Sequence, residues 1–301
     1  MVTLFCFGLG YCAEHTIAEF GARFDRAAGT VRTREKAAAI AASRFGGHAV
    51  EAFVFDGGEA APEVAAALTD ADALLVSVPP GQDGDPVLAR FSDTLRAAPH
   101  LRSIVYLSTV GVYGDHNGGW VDETTSPAPI SDRSRERLIA EQAWDALGAH
   151  AGKAVAILRL SGIYGPGRNA LVQVARGAAK RIDRPGQVFN RIHVADIAQA
   201  IDAGLARRAN GVFNITDDAP TPPGEPVAFA AELLGVPPPP QIPFAEAATA
   251  MSPMARSFYG ESKRVRNDRM KRELGVRLRY PGYAQGLRAL FAAEGEALRS
   301  V

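Results

Sequence analysis

The sequence predicts a doubly wound α/β protein, a parallel Rossmann-type sheet carrying a smaller C-terminal lobe. Three observations carry that prediction. Strand-like and helix-like segments alternate from the first residues onward. The strand-like segments are short and apolar, as strands covered on both faces are. A glycine-rich bend, "FGLGYCA", joins the first strand to the first helix.

The elements follow in order. "TLFCFG" (residues 3–8) is an apolar run ending in glycine, and "AEHTIAEFGARF" has helical spacing at Ala13, Ile17 and Phe20. "AAGTVR" reads as a second strand and "REKAAAIAASRFG" as a helix ended by Gly46. "AVEAFVFD" is a third strand, and "APEVAAALTDA" a helix with Pro62 in its first turn. "ALLVSVPP", "DPVLARFSDTLRAA" and "SIVYLSTVGVYG" give the fourth strand, the fourth helix and the fifth strand with its exit loop. "SDRSRERLIAEQAWDALGAH" is the fifth helix and "AVAILRLSGIYG" the sixth strand. Right-handed crossovers between such elements wind the sheet in both directions.

After Gly165 the rhythm breaks. "RIHVADIAQAIDAGLARR" and "GVFNITD" return to the sheet, and "PTPPGEP" and "PPPP" connect to helices near residues 246–259, 267–274 and 283–298. The expected division is a nucleotide-binding unit over residues 1–165 and about 190–217, with a substrate lobe over about 166–189 and 218–301.

Composition narrows the function. The 301 residues carry 33 Lys+Arg and 33 Asp+Glu, so no net charge favours a nucleic-acid partner. No apolar run reaches the roughly 18 residues a membrane span needs. The N-terminus lacks a basic leader region, so a cytoplasmic location is expected. Cys6 and Cys12 have no Cys or His at metal spacing and read as free thiols in a reducing compartment. No metal site is expected.

"FGLGYCA" sets Gly8, Gly10 and Ala13 as G-x-G-x-x-A between a strand and a helix, the context a dinucleotide site requires. Gly8 permits the tight turn, Gly10 admits a diphosphate, Ala13 allows close helix–strand packing, and the N–H groups from Tyr11 onward face the phosphates. NAD-binding chains usually close the second strand with an acidic residue for the ribose. Here Asp25 precedes that strand, Glu35 lies in the next helix, and Arg32 and Arg34 occupy the strand's end. Arginine suits a 2′-phosphate, so NADP is favoured over NAD. By position, Asp56 reaches the adenine, and Ser77 and Pro79 line the nicotinamide-side ribose and diphosphate.

Over nearly its whole length the chain resembles the extended short-chain dehydrogenase/reductase superfamily, which includes nucleotide-sugar epimerases and dehydratases. The resemblance rests on "GLGYCA", "YLSTVGVYG", "VDETTSPAP", "ILRLSGIYGPGRNAL", "NRIHVADIAQAI", "GVFNITDDAPT" and "ESKRVRNDRMKRELGVRL". It implies a small-molecule substrate, nucleotide-linked in many members, and a homodimer through the fourth and fifth helices. It places Ser108 and Thr109 against the substrate oxygen. It also implies a Tyr for proton transfer and a Lys four residues later. Aligned on Glu141, those positions are Arg133 and Arg137, and no tyrosine stands between Tyr113 and Tyr164. Permanently charged Arg133 cannot exchange protons near neutrality, whereas Arg137 can still hold the nicotinamide ribose. The chain thus reads as an atypical subgroup. Tyr113 is the nearest substitute acid and also fits a packed turn aromatic. Tyr164 reads as a cleft-wall residue, His193 as a hydrogen-bonded structural residue or a catalytic base, and Lys263 and Arg264 as anion ligands or lobe caps. Two functions stand open: an oxidoreductase or epimerase with altered proton chemistry, and a dinucleotide sensor without turnover.

Overall fold

A computed structural model describes residues 2–298. Seven strands form the central sheet: β1 Thr3–Phe7, β2 Arg26–Val31, β3 Glu51–Val54, β4 Ala73–Val76, β5 Ser103–Thr109, β6 Ala154–Leu160 and β7 Gly211–Ile215. Their order is β7-β6-β5-β4-β1-β2-β3, and every adjacent pair is parallel. The winding reverses at β1, between β4 and β2. In open α/β sheets that reversal leaves a crevice at the carboxyl ends of the strands, where ligands bind.

Successive residues of a strand point to opposite faces, and β1 uses this directly. Leu4 and Cys6 enter one core with Ile17, Val31 and Ile201, while Phe5 and Phe7 enter the other with Leu68, Phe91 and Trp144. The helices covering the sheet are α1 Tyr11–Phe20, α2 Arg34–Ala42, α3 Pro62–Thr69, α4 Pro86–Ala97, α5 Asp132–Ala151 and, beyond a short α6 Ala170–Ala175, α7 Val194–Ala206. Cys6 and Cys12 are both free and buried, and burial pushes their thiols up to about 12 and 11. Among the described residues, no helix is long and apolar enough to cross a membrane, and no group of side chains could hold a metal ion.

The lobe is built on α6, α8 Glu225–Leu234 and, after the short turns α9 Phe244–Ala247 and α10 Pro253–Ser257, the long α11 Tyr283–Leu298. Tyr164, Leu171, Ala230, Leu234, Leu287 and Leu290 form its apolar core. A two-residue strand pair, 120–121 with 264–265, ties it to the rest of the chain; residues 181–183 pair with 241–243 within it, and 162–164 pair with 191–193 beside the central sheet.

Several elements differ from the sequence reading. The sixth strand is interrupted at Ser161, whose N–H turns to Ile215 O, so residues 162–164 pair elsewhere. The helix expected over 246–259 breaks at Met251, which is extended, before Pro253 starts a new turn. Residues 270–274 form a π-helical turn closed by Gly275. α8 lay hidden between proline runs. Pro226 occupies its first turn, where a missing N–H is harmless, and Gly235 ends it in the left-handed region.

Candidate active site

The bend after β1 is held from three sides. Gly8 N donates to Thr30 Oγ1 (3.1 Å), Leu9 N to Thr30 O (2.8 Å), and Ser77 Oγ to Gly8 O (2.8 Å). Gly8 has φ +93°, and a Cβ there would lie 2.6 Å from Ser77 Oγ, so both backbone and space demand glycine. Gly10 differs. Its φ is −106°, and a Cβ would meet no atom within 4 Å. It caps α1, and no side chain caps the first turn. The N-terminal amides of that turn therefore have no side-chain acceptor. Ala13 is fully buried, as close helix–strand contact requires. This arrangement suits a dinucleotide diphosphate: a helix start without a cap, and room at the one position where the protein itself does not need glycine.

Around this bend, Arg32 and Arg34 are exposed at the carboxyl end of β2, and among the described residues neither side chain makes an ion pair. Thr33, between them, caps α2 by accepting from Lys36 N (3.2 Å). Asp25 stands at the opposite end of the strand, where its carboxylate accepts from Val2 N (2.5 Å). Asp56 follows β3 and turns its carboxylate to Gly58 N (3.0 Å). Ser77 is spent on supporting the glycine-rich bend, and exposed Pro79 lies two residues beyond it.

The expected catalytic hydroxyls are largely turned inward. Ser108 is buried and its Oγ donates to Glu141 Oε1. Glu141 also accepts Nη2 of Arg159 (2.7 Å) and its Nε (3.1 and 3.2 Å), with both side chains at most 5% exposed. The Arg159 guanidinium lies 4.8 Å from the Tyr113 ring. Tyr113 is fully buried, donates to Asn214 Oδ1 (2.8 Å), and has its ionisation raised by burial. Of the two readings of Tyr113, the structure has the packed turn aromatic, because the chain leaves β5 through a tight helical turn that packs the ring inward; in that position the ring does not serve as the substitute acid. Thr109 is only half-buried. Its Oγ1 accepts from Gly111 N (3.1 Å), leaving its proton to donate. On α5, Arg133 is exposed and Arg135 pairs with Asp132 (2.6 Å), a solvated face. Arg137 turns in, donating to Leu107 O (2.7 Å) and Tyr106 Oη (3.1 Å) at the end of β5.

A second polar cluster lies between sheet and lobe. Tyr164 and His193 are register partners, their rings 5.1 Å apart, and Tyr280 covers His193 at 4.1 Å. Asp196 fixes that cover by accepting from Arg279 N (2.7 Å) and Tyr280 N (3.1 Å). His193 Nδ1 accepts from Ala195 N (3.1 Å), while Nε2 is buried without a hydrogen-bond partner among the described residues. Burial lowers this imidazole to about 4. Asp217, two residues past β7, has Oδ2 buried without a hydrogen-bond partner among the described residues, and burial raises its carboxyl to about 7. Lys263 is buried and turned inward, bonding Gly114 O (2.7 Å) and pairing with Glu261 (3.1 Å), as the lobe-cap reading has it. Arg264 likewise donates to Gly118 O. Sequence reasoning used Glu141 as an alignment mark and missed its partner Arg159, along with Asn214 and Asp217. A carboxylate and an arginine inside otherwise apolar segments were the available signal.

Residues 89–216 match the sequence profile of the NAD dependent epimerase/dehydratase family. A solved structure of a functionally unknown conserved protein from Silicibacter pomeroyi is 46% identical, with a TM-score of 0.87, over 97% of this chain and 99% of that one. Protein YeeZ of Escherichia coli is 31% identical over 224 residues, 71% of this chain and 74% of YeeZ. The fold is also shared by the dTDP-glucose 4,6-dehydratase of Bacillus anthracis, solved in complex with NAD. That structure has a TM-score of 0.75 at 17% identity, over 98% of both chains.

Proposed function

The chain belongs to the NAD dependent epimerase/dehydratase family, and from that premise we propose that it is a nicotinamide-dependent oxidoreductase or epimerase-like enzyme. Its substrate is carbohydrate-like or nucleotide-linked. The observation that carries this reading is the start of α1, where the chain keeps glycine at a position with room for a side chain and supplies no cap. The dehydratase structure that shares the fold was solved with NAD, which supports a nicotinamide cofactor here.

The chain's own residues have these tasks. Gly8, Gly10, Tyr11 and Ala13 form the diphosphate cradle. Arg32 and Arg34 receive a 2′-phosphate, which favours NADP; Asp56 borders the adenine, and Ser77 and Pro79 the far ribose. A bound nicotinamide supplies the hydride acceptor or donor. Thr109 donates to the substrate oxygen. Arg137, held at the end of β5, offers positive charge beside the nicotinamide ribose and cannot itself exchange a proton. The proton therefore passes to solvent or to the substrate's own groups.

A second reading, a dinucleotide sensor without turnover, is favoured by the inward commitment of Ser108 and Tyr113. Incubation with deuterated NADPH and a panel of nucleotide sugars and simple ketones separates the two, since label in any product requires turnover. For the cofactor, Arg32→Ala is expected to weaken NADPH binding much more than NADH binding. Equal weakening in calorimetry overturns the preference for NADP.

A further inference from the structure

The loop that leaves residues 162–164 comes back against the first residue of α1. Gly165 and Arg168 close it with reciprocal backbone bonds (both 3.0 Å). Asn169 locks it from below, donating to Gly165 O (2.9 Å) and accepting from Val172 N (3.1 Å). Tyr11 Oη donates to Pro166 O (3.0 Å), and a Cβ at Gly165 would lie 2.6 Å from that hydroxyl, so the loop presses on α1 with no slack. Arg168 is carried at the tip. Its guanidinium stands 5.9 Å from the Tyr11 ring and is exposed. Among the described residues it makes no side-chain hydrogen bond and no ion pair. Burial raises the Tyr11 phenol and the Cys12 thiol, and the charge of Arg168 opposes both shifts, so it is felt across the first turn.

The N-terminus of α1 carries roughly half a positive charge, and the loop holds a permanently charged guanidinium beside it. The carboxylates of Glu14 and Glu294 are felt at Tyr11, but among the described residues neither forms an ion pair with Arg168. An anion placed between the helix start and the guanidinium meets both.

We propose that Arg168 is a second grip on the dinucleotide diphosphate, brought across from the lobe-side loop to close over the amides of α1, with Tyr11 as the strut that sets its position. This rests on the dinucleotide reading above and adds a residue that the glycine-rich pattern does not contain. It also gives the divergent chain a cationic contact with its cofactor that does not depend on the altered positions of α5.

The test uses the full-length protein, Arg168→Ala and Arg168→Lys, titrated with NADPH and with 2′-AMP, which lacks the diphosphate. Losing one charge-assisted contact is expected to weaken NADPH about 10-fold in Arg168→Ala. Arg168→Lys should recover part of that loss. Affinity for 2′-AMP and the melting temperature should stay at wild-type values in both variants. Two outcomes overturn the proposal: wild-type NADPH affinity in Arg168→Ala, or equal losses for NADPH and 2′-AMP. A fall in melting temperature in Arg168→Ala that the lysine does not restore assigns the residue to folding and overturns it as well. If the wild-type protein itself binds no dinucleotide, the underlying reading fails first, and that result is distinct from the others.

Discussion

Glu141 and Arg159 form an ion pair inside the protein, joined to Ser108 on one side and stacked on Tyr113 on the other. Removing one partner of such a pair leaves an uncompensated buried charge, which costs about 3–5 kcal/mol. Glu141→Gln is therefore expected to lower stability by that order in urea unfolding. Tyr113→Phe should cost less, about 1–3 kcal/mol, because it removes the donor to Asn214 Oδ1 while keeping the ring packed, and NADPH affinity should not change. A Tyr113→Phe protein of full stability that no longer binds NADPH would return Tyr113 to the site. Asp217 gives a pH signature. Its carboxyl titrates near 7 in the folded chain and near 3.9 when unfolded. Between those values the native state holds a proton that the unfolded state has released, so its contribution to stability falls as pH rises. Asp217→Asn should match wild type at pH 4 and exceed it at pH 8 by on the order of 2–4 kcal/mol. His193 slopes the other way. Its folded value of about 4 lies below the ordinary 6.5, so its contribution is lost as pH falls through that window. The wild-type-minus-variant difference isolates Asp217 from it, and a difference that is flat with pH would exclude this account.

At the scale of the element, the start of α1 separates two glycines that look alike in the motif. Gly8 is required by its φ of +93° and by the closeness of Ser77, so Gly8→Ala should destabilise the free protein by about 1–3 kcal/mol. Gly10→Ala should leave free-protein stability within about 0.5 kcal/mol of wild type, because its Cβ enters open space. It should still abolish dinucleotide binding, since that space is where the diphosphate belongs. If Gly10→Ala binds NADPH normally, the ligand lies elsewhere. The bend and its flanking strands were readable because their signals are local: apolar runs, glycine spacing, and a helix start. The loss of the Tyr–Lys pair on α5 was readable for the same reason. What α5 does with the replacements was not. Arg133 faces water while Arg137 turns to Leu107 O, a choice set by tertiary contacts with the end of β5. α8 escaped notice because proline normally ends helices, and only its place in the first turn makes Pro226 compatible with one.

At the scale of the whole molecule, the sheet and the lobe are joined by a short strand pair, 120–121 with 264–265, and by side chains that cross between them. Tyr11 reaches Pro166, Arg191 reaches Thr221 (2.7 Å), and Asp196 holds the 279–280 strap. Pairings this distant in sequence are invisible to any window of residues, which is why the lobe's core was the least legible part of the chain. They also mean that a ligand lying along the carboxyl edge touches elements from both parts and stabilises them together. A ligand that binds only the folded state adds about 2.7 kcal/mol at 100 times its dissociation constant. NADPH at that concentration should therefore raise the melting temperature by a few degrees in a single transition, and NADH at equal concentration by less. Two transitions, with only the earlier one shifted, would mean that lobe and sheet unfold separately and that the cofactor touches one of them alone. A single unshifted transition with saturating NADPH would remove the nicotinamide site altogether, because tight binding to the folded state cannot leave its stability unchanged.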